Sequence, residues 1–204
     1  MSKLLEFYFD YGSPNAYIAH VRLPEIVKRT GARLEYKIML LGGVFQATGN
    51  VSPAALKFKA HYTRRDMMRF INKYKVPFQF NPHFPVNTLK LMRGAVAAEA
   101  DGTFARYTDA VFRGMWAEGL NMGEDAVFAE VLGRAGLDAG HFLARIGEDA
   151  VKEQLKTYTQ AAVARGVYGA PTFFVGNEMF FGQDRLEWVE EALNGRSYVS
   201  LVAG

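Results

Sequence analysis

A chain of 204 residues, half of them hydrophobic, is long enough to bury a substantial core without covalent staples. The absence of cysteine excludes disulfides, thiolate metal sites and a cysteine nucleophile, so any thiolate at work here must arrive with a ligand. A net charge of +3, from 24 basic and 21 acidic residues, is too small an excess to argue for nucleic acid, and no apolar run approaches the roughly 18 residues of a membrane span. Met1-Ser2-Lys3 runs directly into a strand pattern without the basic, apolar and small-residue series of a leader. This predicts a cytoplasmic protein.

In chain order, Leu4 to Phe9 reads as a strand that breaks at Asp10-Tyr11-Gly12. Ser13-Pro14 follows, the signature of a helix start with Ser as N-cap and Pro at the first helical position. A hydroxyl is thereby placed at the positive end of a helix, where exposed N–H groups stabilise a phosphate, a carboxylate or a thiolate. Residues 14 to 30 keep helical spacing, with Pro24 as an expected kink and Gly31 as the stop. Leu34 to Leu40 alternates as a second strand. The crossover predicts parallel pairing with the first.

From about Ser52 to Gly166 the segments are helix-like, broken by the loop from Val76 to Pro85. Leu89 to Ala100, Phe104 to Trp116, Glu124 to Arg134 and Ala139 to Ile146 read as amphipathic helices stopped by Gly102, Gly119, Gly136 and Gly147. β character returns at Thr172 to Val175 and Met179 to Phe181 around a Gly176-Asn177 turn, and Arg185 to Leu193 forms a last helix. The order predicts an α/β, thioredoxin-like domain with an all-helical insertion. The expected parts are 1–48 with 160–204, and an insertion at 49–159, sharing one core with a ligand cleft between them.

Gly169-Ala170-Pro171-Thr172 precedes the hairpin. An ordinary trans proline opening a strand has the higher base rate, but in this architecture a cis Ala170-Pro171 bond is expected. It would turn the Ala170 N–H and C=O outward, free to pair with an extended peptide. After the hairpin, Phe181-Gly182-Gln183-Asp184-Arg185 opens the final helix with Asp184 as a good N-cap. Gln183 and Asp184 also suit a ligand ammonium or carboxylate at that turn.

Ser13-Pro14, Gly49-Asn50, Gly169-Ala170-Pro171 and Gly182-Gln183-Asp184-Arg185, in this order across nearly the whole chain, resemble the 2-hydroxychromene-2-carboxylate isomerase family. Those enzymes are kin of kappa-class glutathione transferases within the disulfide-oxidoreductase superfamily. The resemblance implies glutathione as cofactor, a small aromatic carboxylate as substrate, and a homodimer. It implies Ser13 as the catalytic residue beside the thiol and Ala170, before the cis Pro171, as the peptide-pairing residue. Gln183, Asp184 and Arg185 form the implied γ-glutamyl site, with Asn50, Phe181 and Gly182 also against the cofactor. The implied reaction is reversible addition of thiolate to the unsaturated pyran ring, ring opening, bond rotation and elimination, one hard step divided into two.

One departure is the loop reading at Gly43-Val44-Phe45-Gln46, where relatives often place a lysine. The nearest cations are Lys57 and Lys59. The run from Lys57 to Arg65 suits a solvated helix face or a cationic wall for carboxylates. His20, His61, His83 and His141 lack metal-ligand spacing and read as surface or packed residues, so no metal is expected. Tyr8, Phe9, Tyr11, Tyr62, Phe84, Trp116 and Phe181 are candidates for an aromatic pocket, with core packing the alternative for each. Competing functions are a kappa-type transferase or peroxidase, and a glutathione-binding module without chemistry.

Overall fold

The computed structural model describes residues 3–196; the leader reading at Met1-Ser2 and the end of the 160–204 part lie outside the described residues. Strand β1 (Leu4–Phe9) lies at the centre of a four-stranded sheet in the order β2-β1-β3-β4. It pairs in parallel with β2 (Arg33–Ile38), Phe7 opposite Tyr36, and antiparallel with β3 (Thr172–Val175), Phe7 opposite Phe173. Strand β4 (Glu178–Phe181) completes the antiparallel hairpin. Burial on both faces explains the nearly continuous apolar run of β1. Leu5, Phe7 and Phe9 join the large core with the helices on one side. Tyr8 packs on the other side with Met39, Val44 and Phe174.

Between β1 and β2, helix α1 (Pro14–Thr30) begins where the sequence places it. The Ser13 side chain accepts the Ala16 N–H, and Gly31, at φ 67°, closes the end by donating to the Val27 carbonyl. It runs as one helix through Pro24. The reading of Gly43 to Gln46 as loop is incorrect: α2 spans Leu41–Thr48. Its two glycines hide the helix from propensity. Its start is secured from a distance, because the Asp10 carboxylate accepts the Leu41 N–H at 2.8 Å and the Thr159 hydroxyl accepts the Leu40 N–H at 2.9 Å.

The helical block comprises α3 (Lys57–Tyr74), α4 (Leu89–Ala100), α5 (Phe104–Trp116), α6 (Asp125–Arg134), α7 (Ala139–Arg145) and α8 (Asp149–Ala164). It shares the core of the sheet. Phe112 and Trp116 lie in the same cluster as Phe7 and Phe9, and Trp116 Nε1 donates to the Tyr11 carbonyl at 2.7 Å. The Tyr11 hydroxyl in turn meets the Thr108 hydroxyl at 2.9 Å. The turn that presents Ser13 is thereby held from the helical side. His20 stacks on Phe112 and hydrogen-bonds the Tyr36 hydroxyl through Nδ1 at 2.8 Å.

The last described elements differ from the sequence reading. A 3₁₀ turn at Gln183–Arg185 precedes α9 (Leu186–Leu193), so Asp184 lies inside that turn and is not the N-cap. Its carboxylate instead pairs with the neighbouring Arg185 at 2.8 Å.

Candidate functional site

Asp10 organises the floor of the site. It is buried, its Oδ1 accepts the Gly12 N–H at 2.8 Å, and its Oδ2 binds the first N–H of α2. Burial pushes this carboxyl above the ordinary aspartate value, against the opposing pull of those two N–H groups and the Thr88 hydroxyl. One side chain therefore ties the β1–α1 turn to α2 and to the start of α4.

Ser13 sits above this floor, 6% exposed. Its Oγ accepts the Ala16 N–H at 3.2 Å and donates to the Ala170 carbonyl at 3.1 Å. Pro14 has no N–H, the Ala16 N–H is taken by Ser13, and Tyr17 N–H bonds the Ser13 carbonyl. The Asn15 N–H is left as the first-turn donor without a protein partner among the described residues, at the positive end of the helix.

The Ala170–Pro171 bond is cis, as expected. The expectation of a free Ala170 carbonyl is corrected, because that oxygen already accepts the Ser13 hydroxyl. At the end of β4 the chain turns through Gly182, at φ 103°, a region open to glycine. The Gly182 N–H donates to the Pro171 carbonyl at 2.9 Å, which ties the two turns together. Gln183 is buried beneath, its main-chain carbonyl held by Arg22 and its side-chain Oε1 without any hydrogen-bond partner. A buried acceptor left unpaired costs on the order of 1–3 kcal/mol.

These groups line one cleft of about 570 Å³ that includes Ser13, Asn50, Ala170, Pro171 and the stretch from Phe181 to Arg185. Asn50 reaches it with its side chain engaged, Nδ2 donating to the Tyr168 carbonyl at 2.8 Å and Oδ1 accepting the Val51 N–H. Phe181 packs against Tyr168 with ring centroids 4.6 Å apart. Of the aromatic candidates, Tyr62, Phe84 and Phe181 line the cleft, whereas Tyr8, Phe9, Tyr11 and Trp116 are buried in the core.

The opposite wall comes from α3. Lys59, Tyr62, Thr63, Asp66 and Met67 all border the cleft. Their spacing of three and four residues marks one helical face. That stripe was legible, but it runs through a strongly basic segment whose average character points to solvent. Lys57 does not border the cleft, so Lys59 is the cation of this wall. Among the described residues no group of His, Asp and Glu side chains forms a metal site.

Residues 4–194 match the family model of the DSBA-like thioredoxin domain. A 2-hydroxychromene-2-carboxylate isomerase of Pseudomonas putida is 33% identical over 192 residues, covering 93% of this chain and 94% of that protein. A solved structure of a 2-hydroxychromene-2-carboxylate isomerase superimposes with a TM-score of 0.85 at 31% identity, over 94% of this chain and 95% of the other. Glutathione S-transferase kappa 1 of Rattus norvegicus is 26% identical, covering 91% and 88% of the two chains.

Proposed function

Because the chain belongs to the DSBA-like thioredoxin family and, within it, to the 2-hydroxychromene-2-carboxylate isomerases, we propose that it is a glutathione-dependent isomerase. Its proposed reaction converts 2-hydroxychromene-2-carboxylate, or a related aromatic carboxylate, to the trans-o-hydroxybenzylidenepyruvate type of product. The observation that carries this reading is the convergence of the Ser13 hydroxyl, the Ala170 backbone and the Gly182 to Arg185 turn on one cleft, in a chain without its own thiol.

The donor set suits the tripeptide. The Asp184 carboxylate, with Gln183 beside it, is an acceptor for a γ-glutamyl ammonium, while Arg185 and Lys59 are cations for its carboxylates. Ala170 would pair with the peptide backbone, and Ser13 with the Asn15 N–H would face the sulfur. When bound, glutathione supplies a thiolate, a nucleophile that adds reversibly to an unsaturated ring and leaves again after rotation. The helix start favours that anion electrostatically. For the Ser13 hydroxyl to donate to it, the hydrogen now directed at the Ala170 carbonyl must turn toward the cleft. Tyr62, Phe84 and Phe181 supply apolar surface for an aromatic substrate.

Calorimetry with glutathione, followed by a spectrophotometric isomerase assay, tests the proposal. Saturable binding together with turnover is expected; no heat at millimolar glutathione refutes it. The kappa transferase likeness supports a second reading. Conjugation of a chlorinated aromatic without isomerase turnover would select it.

A further inference from the structure

A second and larger cavity, about 760 Å³, opens on the other side of α2 between that helix, α4 and α8. Helix α2 is the partition: Leu41 and Phe45 border the glutathione cleft, Gly43, Gln46 and Ala47 border this one. Its volume is that of a small-molecule site. Leu40, Leu89, Leu155 and Val163 give it apolar walls.

Three cations also border it. Lys152 is paired with Asp149 at 2.9 Å and Lys156 with Glu153 at 3.2 Å. Arg93 is different: it is half-buried, its Nε is inaccessible to solvent, and that atom has no hydrogen-bond partner. No carboxylate pairs with its guanidinium among the described residues. A half-buried guanidinium is stabilised by a carboxylate, whose two oxygens match its planar fork.

We propose that this cavity is a binding site for a monocarboxylate with an apolar body, the carboxylate pairing with Arg93 and the body lying against Leu40, Leu89, Leu155 and Val163. The site is separate from the glutathione cleft and does not depend on what that cleft binds. An aromatic ring and an alkyl chain are both apolar bodies of suitable size.

Calorimetric titration of the full chain with 2-naphthoate and with laurate distinguishes the two and tests the site. At least one is expected to bind with a Kd below about 1 mM. Arg93→Gln is expected to weaken that binding about tenfold or more, through loss of a charge-assisted pair. Ala47→Trp, a change at an exposed position that fills the cavity from the α2 side, is expected to abolish it, and Asp184→Asn in the other cleft to leave it unchanged. The proposal is overturned if neither ligand binds. It is overturned equally if Ala47→Trp binds as wild type, or if the affinity follows Asp184→Asn instead.

Discussion

Ser13→Ala removes two hydrogen bonds at once, the N-cap to the Ala16 N–H and the bond to the Ala170 carbonyl. The lost cap costs about 1 kcal/mol, and for a chain of this length 1 kcal/mol lowers Tm by roughly 2–4 °C. The effect on a bound thiol is separate. A hydrogen bond to a thiolate contributes about 1.5–3 kcal/mol, from which the neutral bond that Ser13 surrenders at Ala170, about 0.5–1.5 kcal/mol, must be subtracted. The remainder, on the order of 1–1.5 kcal/mol, corresponds to about one pKa unit. Ultraviolet titration of enzyme-bound glutathione should therefore show its thiol pKa about one unit higher in the variant, with turnover at neutral pH reduced and affinity for the tripeptide largely kept. Ser13→Gly separates the two effects, since glycine caps a helix within a few tenths of a kcal/mol of serine yet has no hydroxyl. Its Tm should fall less than that of the alanine variant, through the Ala170 bond that both lose, while its thiol pKa rises as in the alanine variant. Unchanged thiol pKa and turnover in both variants would reduce Ser13 to a helix cap and refute the proposed mechanism.

Burial raises the Asp10 carboxyl, so the folded chain holds that proton more tightly than the unfolded chain does. Its stabilising contribution is complete below about pH 3.9 and is lost as pH rises through the folded value. The stability of wild type relative to Asp10→Asn, measured by urea unfolding, should accordingly be greatest near pH 4 and shrink toward neutrality; a difference independent of pH would contradict it. Gly94→Ala would drive a methyl into the buried Tyr107 ring, whose hydroxyl donates to the Leu91 carbonyl, and should cost about 1–3 kcal/mol or more in chemical denaturation. Trp116→Phe leaves the buried Tyr11 carbonyl without its donor, a loss of about 1–3 kcal/mol measurable in the same assay. The proposed homodimer should sediment at twice the 22.8 kDa chain mass, and a monomer at micromolar concentration would count against it.

Local chemistry in the sequence was enough to locate β1, α1 and the hairpin, because each carries its own signals. Ser13 and Pro14 start α1, Gly31 ends it, and Gly176-Asn177 turns the hairpin. The same signals isolated Ser13, Ala170 and the Gly182 to Arg185 turn, which border one cleft in the fold. Where a residue's state depends on a distant partner, the sequence pointed elsewhere. Helix α2 contains two glycines and begins on hydrogen bonds to Asp10 and Thr159, 31 and 119 residues away in sequence. Asp184 is a local miss instead: it has the chemistry of an N-cap but lies inside a 3₁₀ turn and pairs with the adjacent Arg185.

Periodicity and capping report interactions within a few residues, so the sequence by itself determined the sheet strands, the helix that starts at Ser13 and the absence of a protein thiol. Only the tertiary structure decided which polar groups were consumed. It directs the Ser13 hydroxyl at the Ala170 carbonyl and leaves Gln183 Oε1 and Arg93 Nε unpaired. It also divides seven aromatic candidates into three that border the cleft and four that fill the core. The physical reason is that burial and hydrogen-bond pairing are properties of neighbours in space, and those neighbours here come from segments more than a hundred residues apart.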